Sequence, residues 1–434
     1  IETFTKGQQK VLIRFNPEME VPVYTTPWQR YGKLYIDAYR HMAMLVKRNS
    51  TNIQLIWGPA GFMGLEEYYP GDDVVDYISI TLNSETEKKY NRYPYYGNLQ
   101  DQIHRKLHRL RFFGKPAIIL GKKDTQVLPI LLSETDSIKK YKAIAYDHSL
   151  WKGSVTAHQN DFILGLHDPN QLLTSHAAIA AEHIFVDFGQ VQSGALRHLM
   201  QEVAMRQHDI ILTVEPWRDL SGNEDPKVLN NIVDGKYDTI IRKVFQDIQD
   251  TNCTVYLRFA HEMEIPITRY AWQSKDPIDY IKAYRYFMQL PSPLPAKVKR
   301  IWGPAGDRAS IDFYPGDDVV DYISFAIYGL PDKNITDPKK QESFATIFNR
   351  KLWRFRQLDK PFFITEFGVK GPEDYQTQWL IDAAKALKNN PKVIGVNYFN
   401  MTDTPGAWGK IKPPDWSITQ ATLDTFLLNL DPKH

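Results

Sequence analysis

The chain is nearly without cysteine. Its one thiol, Cys253, excludes an internal disulfide framework across 434 residues, so stability has to come from a packed core. That thiol heads an apolar run, where an inert buried side chain is expected rather than a nucleophile. An excess of either charge is also missing. Lys and Arg total 53 against 51 Asp and Glu. A balance this close gives no pull towards nucleic acid, and no polybasic run offers itself to a membrane surface. No stretch approaches the roughly 18 apolar residues of a membrane span, so membrane insertion is not expected. No Gly-x-Gly-x-x-Gly follows the first strand, which weighs against a doubly wound dinucleotide fold. No His/Asp/Glu spacing matches a ligand set, so neither a metal nor a cofactor is expected. The chain opens at Ile1 without a signal-peptide pattern, which reads as a processed or trimmed chain whose compartment follows from its function.

What is present begins with an internal repeat. Ile56-Trp-Gly-Pro-Ala-Gly61 recurs as Ile301-Trp-Gly-Pro-Ala-Gly306, and Tyr69-Pro-Gly-Asp-Asp-Val-Val-Asp-Tyr-Ile-Ser79 recurs unchanged at Tyr314–Ser324. Arg14-Phe-Asn-Pro-Glu-Met-Glu20 parallels Arg258-Phe-Ala-His-Glu-Met-Glu264, and Lys115–Gly121 parallels Lys360–Glu366. Order and offset are kept, so the repeated unit is domain-sized.

The second copy carries a full run of strands: Phe162–Leu166, His183–Phe188, Ile210–Val214, Thr254–Phe259, Lys299–Trp302, Val320–Ile327, Phe362–Thr365 and Val393–Phe399. Helical periodicity separates most of them. Tyr237–Asp250 places Ile240, Ile241, Val244, Phe245 and Ile248 on one face. Asp276-Pro277 is an N-cap followed by Pro at the first helical position, opening a helix with Ile278, Ile281, Tyr284 and Phe287 inward. Glu373–Asn389 turns Tyr375, Trp379, Leu380, Ala383 and Leu387 inward. Eight strands alternating with helices predict an α/β fold, a (β/α)8 TIM barrel. The first copy begins at the equivalent of the fourth strand and stops after the seventh. The expected organisation is a partial, degenerate barrel-like repeat at 1–124, a connecting segment at 125–159 and a complete barrel at 160–434. Half a barrel leaves open sheet edges. Docking on the second domain, self-association and a missing upstream segment each answer that need.

Two strands of the complete copy end in carboxylates. Thr254–Phe259 runs into Arg258, His261, Glu262 and Glu264, and Pro361–Gly368 carries Glu366. Glycoside hydrolysis uses two carboxyls flanking the scissile bond, and strands four and seven face each other across a barrel mouth at a span suited to the ~5–5.5 Å of retaining enzymes. Glu262 and Glu366 are the candidate catalytic pair. Glu264 reads as a solvated or supporting charge. Trp217, Trp272, Trp408 and Trp416 lie at or beyond strand ends, where rings that stack on sugars sit, with packing at the rim as the competing use. Trp302 fits core and cleft equally well.

With Arg258-x-x-His261-Glu262-Met263, the Tyr314–Ser324 run leading to Tyr328, and Ile364-Thr-Glu-Phe-Gly368, the second copy resembles glycoside hydrolase family 26, over roughly residues 160–425. The resemblance implies a retaining endo-β-glycosidase. Glu262 is implied as acid/base and Glu366 as nucleophile, with Arg258 and His261 beside the acid/base and Tyr328 hydrogen-bonded to the nucleophile. Two departures fall where the sugar is held. Mannan-cleaving members follow His-Glu-Met with Asn-Gly and aromatics, where this chain has Glu264-Ile-Pro-Ile-Thr268. The Asp expected two residues before the tyrosine is Ala326. β-Mannan, mixed-linkage β-glucan, xylan and bacterial exopolysaccharide all stay open as the polysaccharide or oligosaccharide partner. Such a substrate implies an extracellular or periplasmic setting. The alternative reading is a non-catalytic glycan-binding or polysaccharide-assembly scaffold, because the first copy keeps Glu18 but has Pro17 for His261 and Gly121 for Glu366. The Tyr-Pro-Gly-Asp-Asp motif persists there without the catalytic pair, which reads as architecture.

Overall fold

In the computed structural model the described residues are 10–22, 26–29, 31–82, 99–123, 126–130, 162–217, 224–267, 269–330, 342–404 and 412–430. The chain divides into two compact units, Ile1–Trp151 and Lys152–His434. The segment 125–159 lies almost wholly outside the described residues.

The first unit is a sheet of four parallel strands in sequence order: β1 (Val11–Arg14), β2 (Ile53–Trp57), β3 (Tyr77–Leu82) and β4 (Ala117–Lys123). A fifth strand, β5 (Gln126–Ile130), adds antiparallel to β4. It falls in the stretch that sequence reads as a connecting segment. The helix Gly32–Asn49 sets Tyr35, Ile36, Tyr39, Ala43 and Val46 on one buried face, against Leu55, Trp57 and Ile78 of the sheet. Each of the large aliphatic side chains taken from water contributes about 1.5–3 kcal/mol.

The second unit closes. Its strands are β6 (Ile163–His167), β7 (Ala181–Asp187), β8 (Asp209–Glu215), β9 (Val255–Phe259), β10 (Val298–Trp302), β11 (Tyr322–Ile323), β12 (Ala326–Gly329), β13 (Phe362–Val369) and β14 (Val393–Phe399). They pair in parallel in the order β11-β10-β9-β8-β7-β6-β14-β13-β12, and β11 also pairs with β13. β11 and β12 are the two halves of the sixth barrel strand, which sequence reads as one run over Val320–Ile327. The result is an eight-stranded closed parallel TIM barrel. Helices wrap it as their periodicity requires. Asp276 caps the helix Pro277–Gln289 by accepting from the Ile278 N–H at 2.9 Å. In Glu373–Lys388, Trp379, Leu380, Ala383 and Leu387 are buried but Tyr375 is only half-buried. Gln376 takes the inward place and donates to the carbonyls of Val369 and Ser417.

The barrel interior is layered by the two-residue period of its strands. The lowest layer takes one apolar residue from each strand: Ile163, Ala181, Ile211, Tyr256, Ile301, Tyr322, Phe363 and Ile394. Two residues further along most strands the layer turns polar, with His183, Thr213, Arg258, Ser324 and Thr365, joined by Asn397 of β14. Glycines make this layer possible. A Cβ at Gly303 would collide with the Arg258 side chain, and one at Gly58 would collide with Arg14. The glycine of the repeated Trp-Gly-Pro motif thus clears space for an arginine in both units.

The other repeated segment folds alike in both. Arg40 makes a bidentate pair with Asp73 and donates to the Pro70 carbonyl, as Arg285 does with Asp318 and Pro315. Gly71 and Gly316 both sit at φ 113°, a conformation that glycine adopts without strain. A lysine that sequence reading did not single out also recurs. Lys106 donates to the carbonyls of Ala60 and Thr81, and Lys351 to those of Ala305 and Ala326.

Candidate active site

Glu262 follows β9 through a left-handed stretch. Ala260 has φ 46° and Glu262 φ 53°, a region that non-glycine residues rarely enter. The strain is held by hydrogen bonds from the Ala260 N–H to Val214 O at 3.1 Å and from the Glu262 N–H to Gly303 O at 2.8 Å. Gln273 adds a bond to the Glu262 carbonyl at 3.2 Å.

Glu366 arrives by a different device. Ile364 pairs with Val396 and Phe367 with Tyr398, so β13 carries one residue more than β14 over this span. On the other side Ile323 pairs with Phe362 but Ala326 with Glu366, again one residue extra on β13. This bulge lets Thr365 and Glu366, adjacent in sequence, both point inward. Thr365 bonds the Ser324 hydroxyl at 2.8 Å. Glu366 accepts from the Arg258 guanidinium and, at 3.0 Å, from the Tyr328 hydroxyl.

The two carboxyls have different surroundings. Glu262 is pushed up to about 8, first by burial and then by the Glu366 charge, with Arg258 opposing. Among the described residues no cation forms an ion pair with Glu262, whereas Glu366 lies against the Arg258 guanidinium. His261, 4% exposed, is held well below the usual histidine range by burial and by Arg258, and is therefore neutral.

A third carboxyl belongs to the same place. Glu215 ends β8, and its Oε1 lies 3.9 Å from His261 Nε2. Burial pushes it up to about 7, helped by the Glu366 charge and opposed by Arg258, Arg269 and a hydrogen bond from Tyr270. Sequence reading passed it over, although Ile210–Glu215 shows the same signal as the other two, an apolar strand closing on a carboxylate.

The tryptophans divide. Trp217 is half-buried, edge-on to Tyr270 at 5.7 Å. Trp272 and Trp416 are both 0% exposed and, as placed, offer no ring face to a sugar, contrary to expectation. Trp272 stacks on Tyr270 at 4.5 Å and donates to the His261 carbonyl at 2.7 Å. Trp416 lies on Tyr328 at 4.6 Å. Both shape the residues that line the site instead of lining it. Trp408 lies outside the described residues. Trp302 is core. Glu264, expected as a solvated or supporting charge, is buried and accepts from the N–H groups of Ala305, Gly306 and Asp307 and from Ser310. That pattern fixes a loop. Among the described residues no cluster of His, Cys, Asp and Glu could hold a metal ion.

No family model matches the chain. Among curated proteins it is similar to Endoglucanase H of Acetivibrio thermocellus, 24% identical over 226 residues, covering 49% of this chain and 23% of that one. It is likewise similar to a Beta-1,3-xylanase of Alcaligenes sp, 25% identical over 200 residues, covering 42% of this chain and 41% of that one. The chain thus spans less than half of each of these relatives. Among solved structures, a GH26 beta-mannanase from Bacteroides ovatus matches at TM-score 0.47 and 15% identity, covering 63% of this chain and 89% of that one. A GH128 endo-beta-1,3-glucanase from Sorangium cellulosum matches at TM-score 0.39 and 13% identity, covering 62% of this chain and 96% of that one. The chain is a distant relative of glycoside hydrolases.

Proposed function

We propose that the second unit is a retaining endo-β-glycosidase of the family 26 type. The observation that carries this reading is the unequal treatment of two carboxyls at the ends of β9 and β13. Glu262 holds its proton at neutral pH, while Glu366 is met by Arg258 and the Tyr328 hydroxyl. In the first step Glu262 gives its proton to the glycosidic oxygen as the bond to the anomeric carbon breaks. A Glu366 oxygen forms a bond to that carbon, giving a glycosyl ester. Esterification removes the Glu366 charge, and with it one of the influences that held the proton on Glu262. Glu262, now a carboxylate, takes a proton from water as the water oxygen attacks the anomeric carbon. The ester bond breaks and its electron pair returns to Glu366. Configuration is retained through two inversions.

The substrate is proposed as a β-linked polysaccharide. The relatives' names make β-glucan and β-1,3-xylan the first to try, with β-mannan and exopolysaccharide beside them. Cleavage of such polymers fits a protein that works outside the cytoplasm. The first unit, with Gly121 at the place of Glu366, is read as a non-catalytic copy that arose by duplication and serves as a scaffold or glycan-binding element. The test is reducing-end release across those four substrate classes, with Glu366→Gln beside the wild type and anomeric stereochemistry followed by proton NMR. Release with retention, abolished in the variant, is the expected result. Release unchanged in the variant, or with inversion, would sink the assignment. Glycan binding without release from any substrate would favour the scaffold reading.

A further inference from the structure

Beneath the carboxyls, five strands share one buried chain of hydrogen bonds. Resting on the glycosidase reading, we propose that His183, on β7, is a positioning residue that holds Arg258 against Glu366 through Thr213. The argument starts at Asn397. Its Nδ2 donates to the Thr365 carbonyl at 3.0 Å and lies 3.1 Å from His183 Nδ1. A carbonyl oxygen only accepts, so the amide nitrogen, not its oxygen, must stand at that place. Its second hydrogen then points to Nδ1, which has to be the accepting nitrogen. His183 therefore carries its proton on Nε2, and Nε2 donates to Thr213 Oγ1 at 2.8 Å. Thr213 Oγ1 also accepts from Arg258 Nε at 2.8 Å. Both lone pairs of the hydroxyl are taken, which fixes Nε of the guanidinium. Nη2, beside it on the same edge, reaches Glu366.

Every member of the chain is at most 7% exposed, so water competes little for these bonds. Gly165 admits the relay, since a Cβ there would stand 2.7 Å from Asn397 Oδ1. His183 also faces His167 of β6, which donates through Nδ1 to the His183 carbonyl at 2.8 Å. With Arg258 and His261 nearby as well, burial and these neighbours keep the ring neutral. The first unit shows the contrast. There Arg14 is held from β3, two strands away, with Nε on the Ser79 hydroxyl at 2.7 Å and Nη2 on the Thr81 hydroxyl at 3.0 Å. In the second unit the anchor comes from β8, leaving the Nη2 side for the carboxylate.

Two measurements on the full chain test this. The first is the imidazole ¹⁵N spectrum between pH 5 and 8, with His183→Gln to assign the signal. A neutral Nε2–H tautomer throughout is expected. An Nδ1–H tautomer, or titration in the ordinary histidine range, overturns the relay whether or not the protein has turnover. The second compares Thr213→Val with Thr213→Ser. Losing the oxygen should lower kcat about tenfold with KM within about twofold, the scale of one hydrogen bond to a charged group. The serine variant should restore kcat. Equal kcat in the valine variant and the wild type overturns the positioning role while leaving the glycosidase assignment intact. A wild type without turnover on any substrate removes the glycosidase assignment and the catalytic half of this proposal together. In that case the tautomer reports on the relay alone.

Discussion

The two units carry the same arginine at the same place, and they spend it differently. Arg14 is satisfied by the hydroxyls of β3 and the Gly58 carbonyl. Arg258 keeps one side for Glu366, because Ala326 stands where the first unit has Thr81. The seventh-position strands differ in the same sense. β3 and β4 run in constant register, from Ile78 with Ala117 to Leu82 with Gly121. β13 gains one residue on its neighbour before Glu366. The lesson is that a carboxylate at this position is not enough. It needs a bulge to turn it inward and an arginine with a free edge to receive it.

The harshest way to break the comparison is to give the second unit the first unit's residue. Glu366→Gly should cut turnover on the order of 10⁴-fold, since it removes the proposed nucleophile, as read by reducing-end assay. The reverse change, Gly121→Glu, should confer nothing. In the unbulged β4, position 121 shares the face of Ile119, which belongs to the helix-side core.

Glu262→Gln should cost about 10²–10⁴-fold, and much less on aryl glycosides whose leaving group needs no proton. Glu18→Gln, its counterpart, should leave turnover unchanged. Glu262→Gln also changes the pH dependence of stability. Glu262 binds its proton more tightly folded, at about 8, than at its ordinary 4.5. Its favourable contribution is therefore complete below about pH 4.5 and lost as pH rises through 8. Glu262→Gln should lose less stability than the wild type between pH 5 and pH 9, measured by denaturant midpoint. An equal loss would mean that the carboxyl titrates normally.

A finer test is Ala326→Thr, which offers Arg258 the hydroxyl that Arg14 already has. The competing acceptor should draw the guanidinium from Glu366 and lower kcat about tenfold. The smallest effect is expected where the units agree. Arg285→Ala and Arg40→Ala each remove a largely exposed pair with Asp318 or Asp73, and each should cost no more than about 1 kcal/mol of unfolding free energy.

The barrel was legible in the sequence because its strands are buried on both faces, so they read as apolar runs bounded by turns. Glu262 and Glu366 stood out as charges at the ends of such runs. The bulge at Thr365–Glu366 did not, since register exists only between strands and Pro361–Gly368 looks regular by itself. The relay from Asn397 to His183 joins residues 214 apart, with no local pattern to betray it. Trp272 and Trp416 misled for a related reason. Position near a strand end says that a ring is close to the site, but only packing by Tyr270 or Tyr328 decides whether a face is left open.

The left-handed backbone at Glu262 has one more implication. Glu18 adopts it too, at φ 59°, with the same N–H bond to a Trp-Gly carbonyl. Both units therefore keep a glutamate where glycine or asparagine would be favoured. That position also marks where the first unit can be relieved of strain. Glu18→Gly is expected to stabilise that unit, whereas the identical edit at Glu262 would remove the proposed acid/base along with the strain.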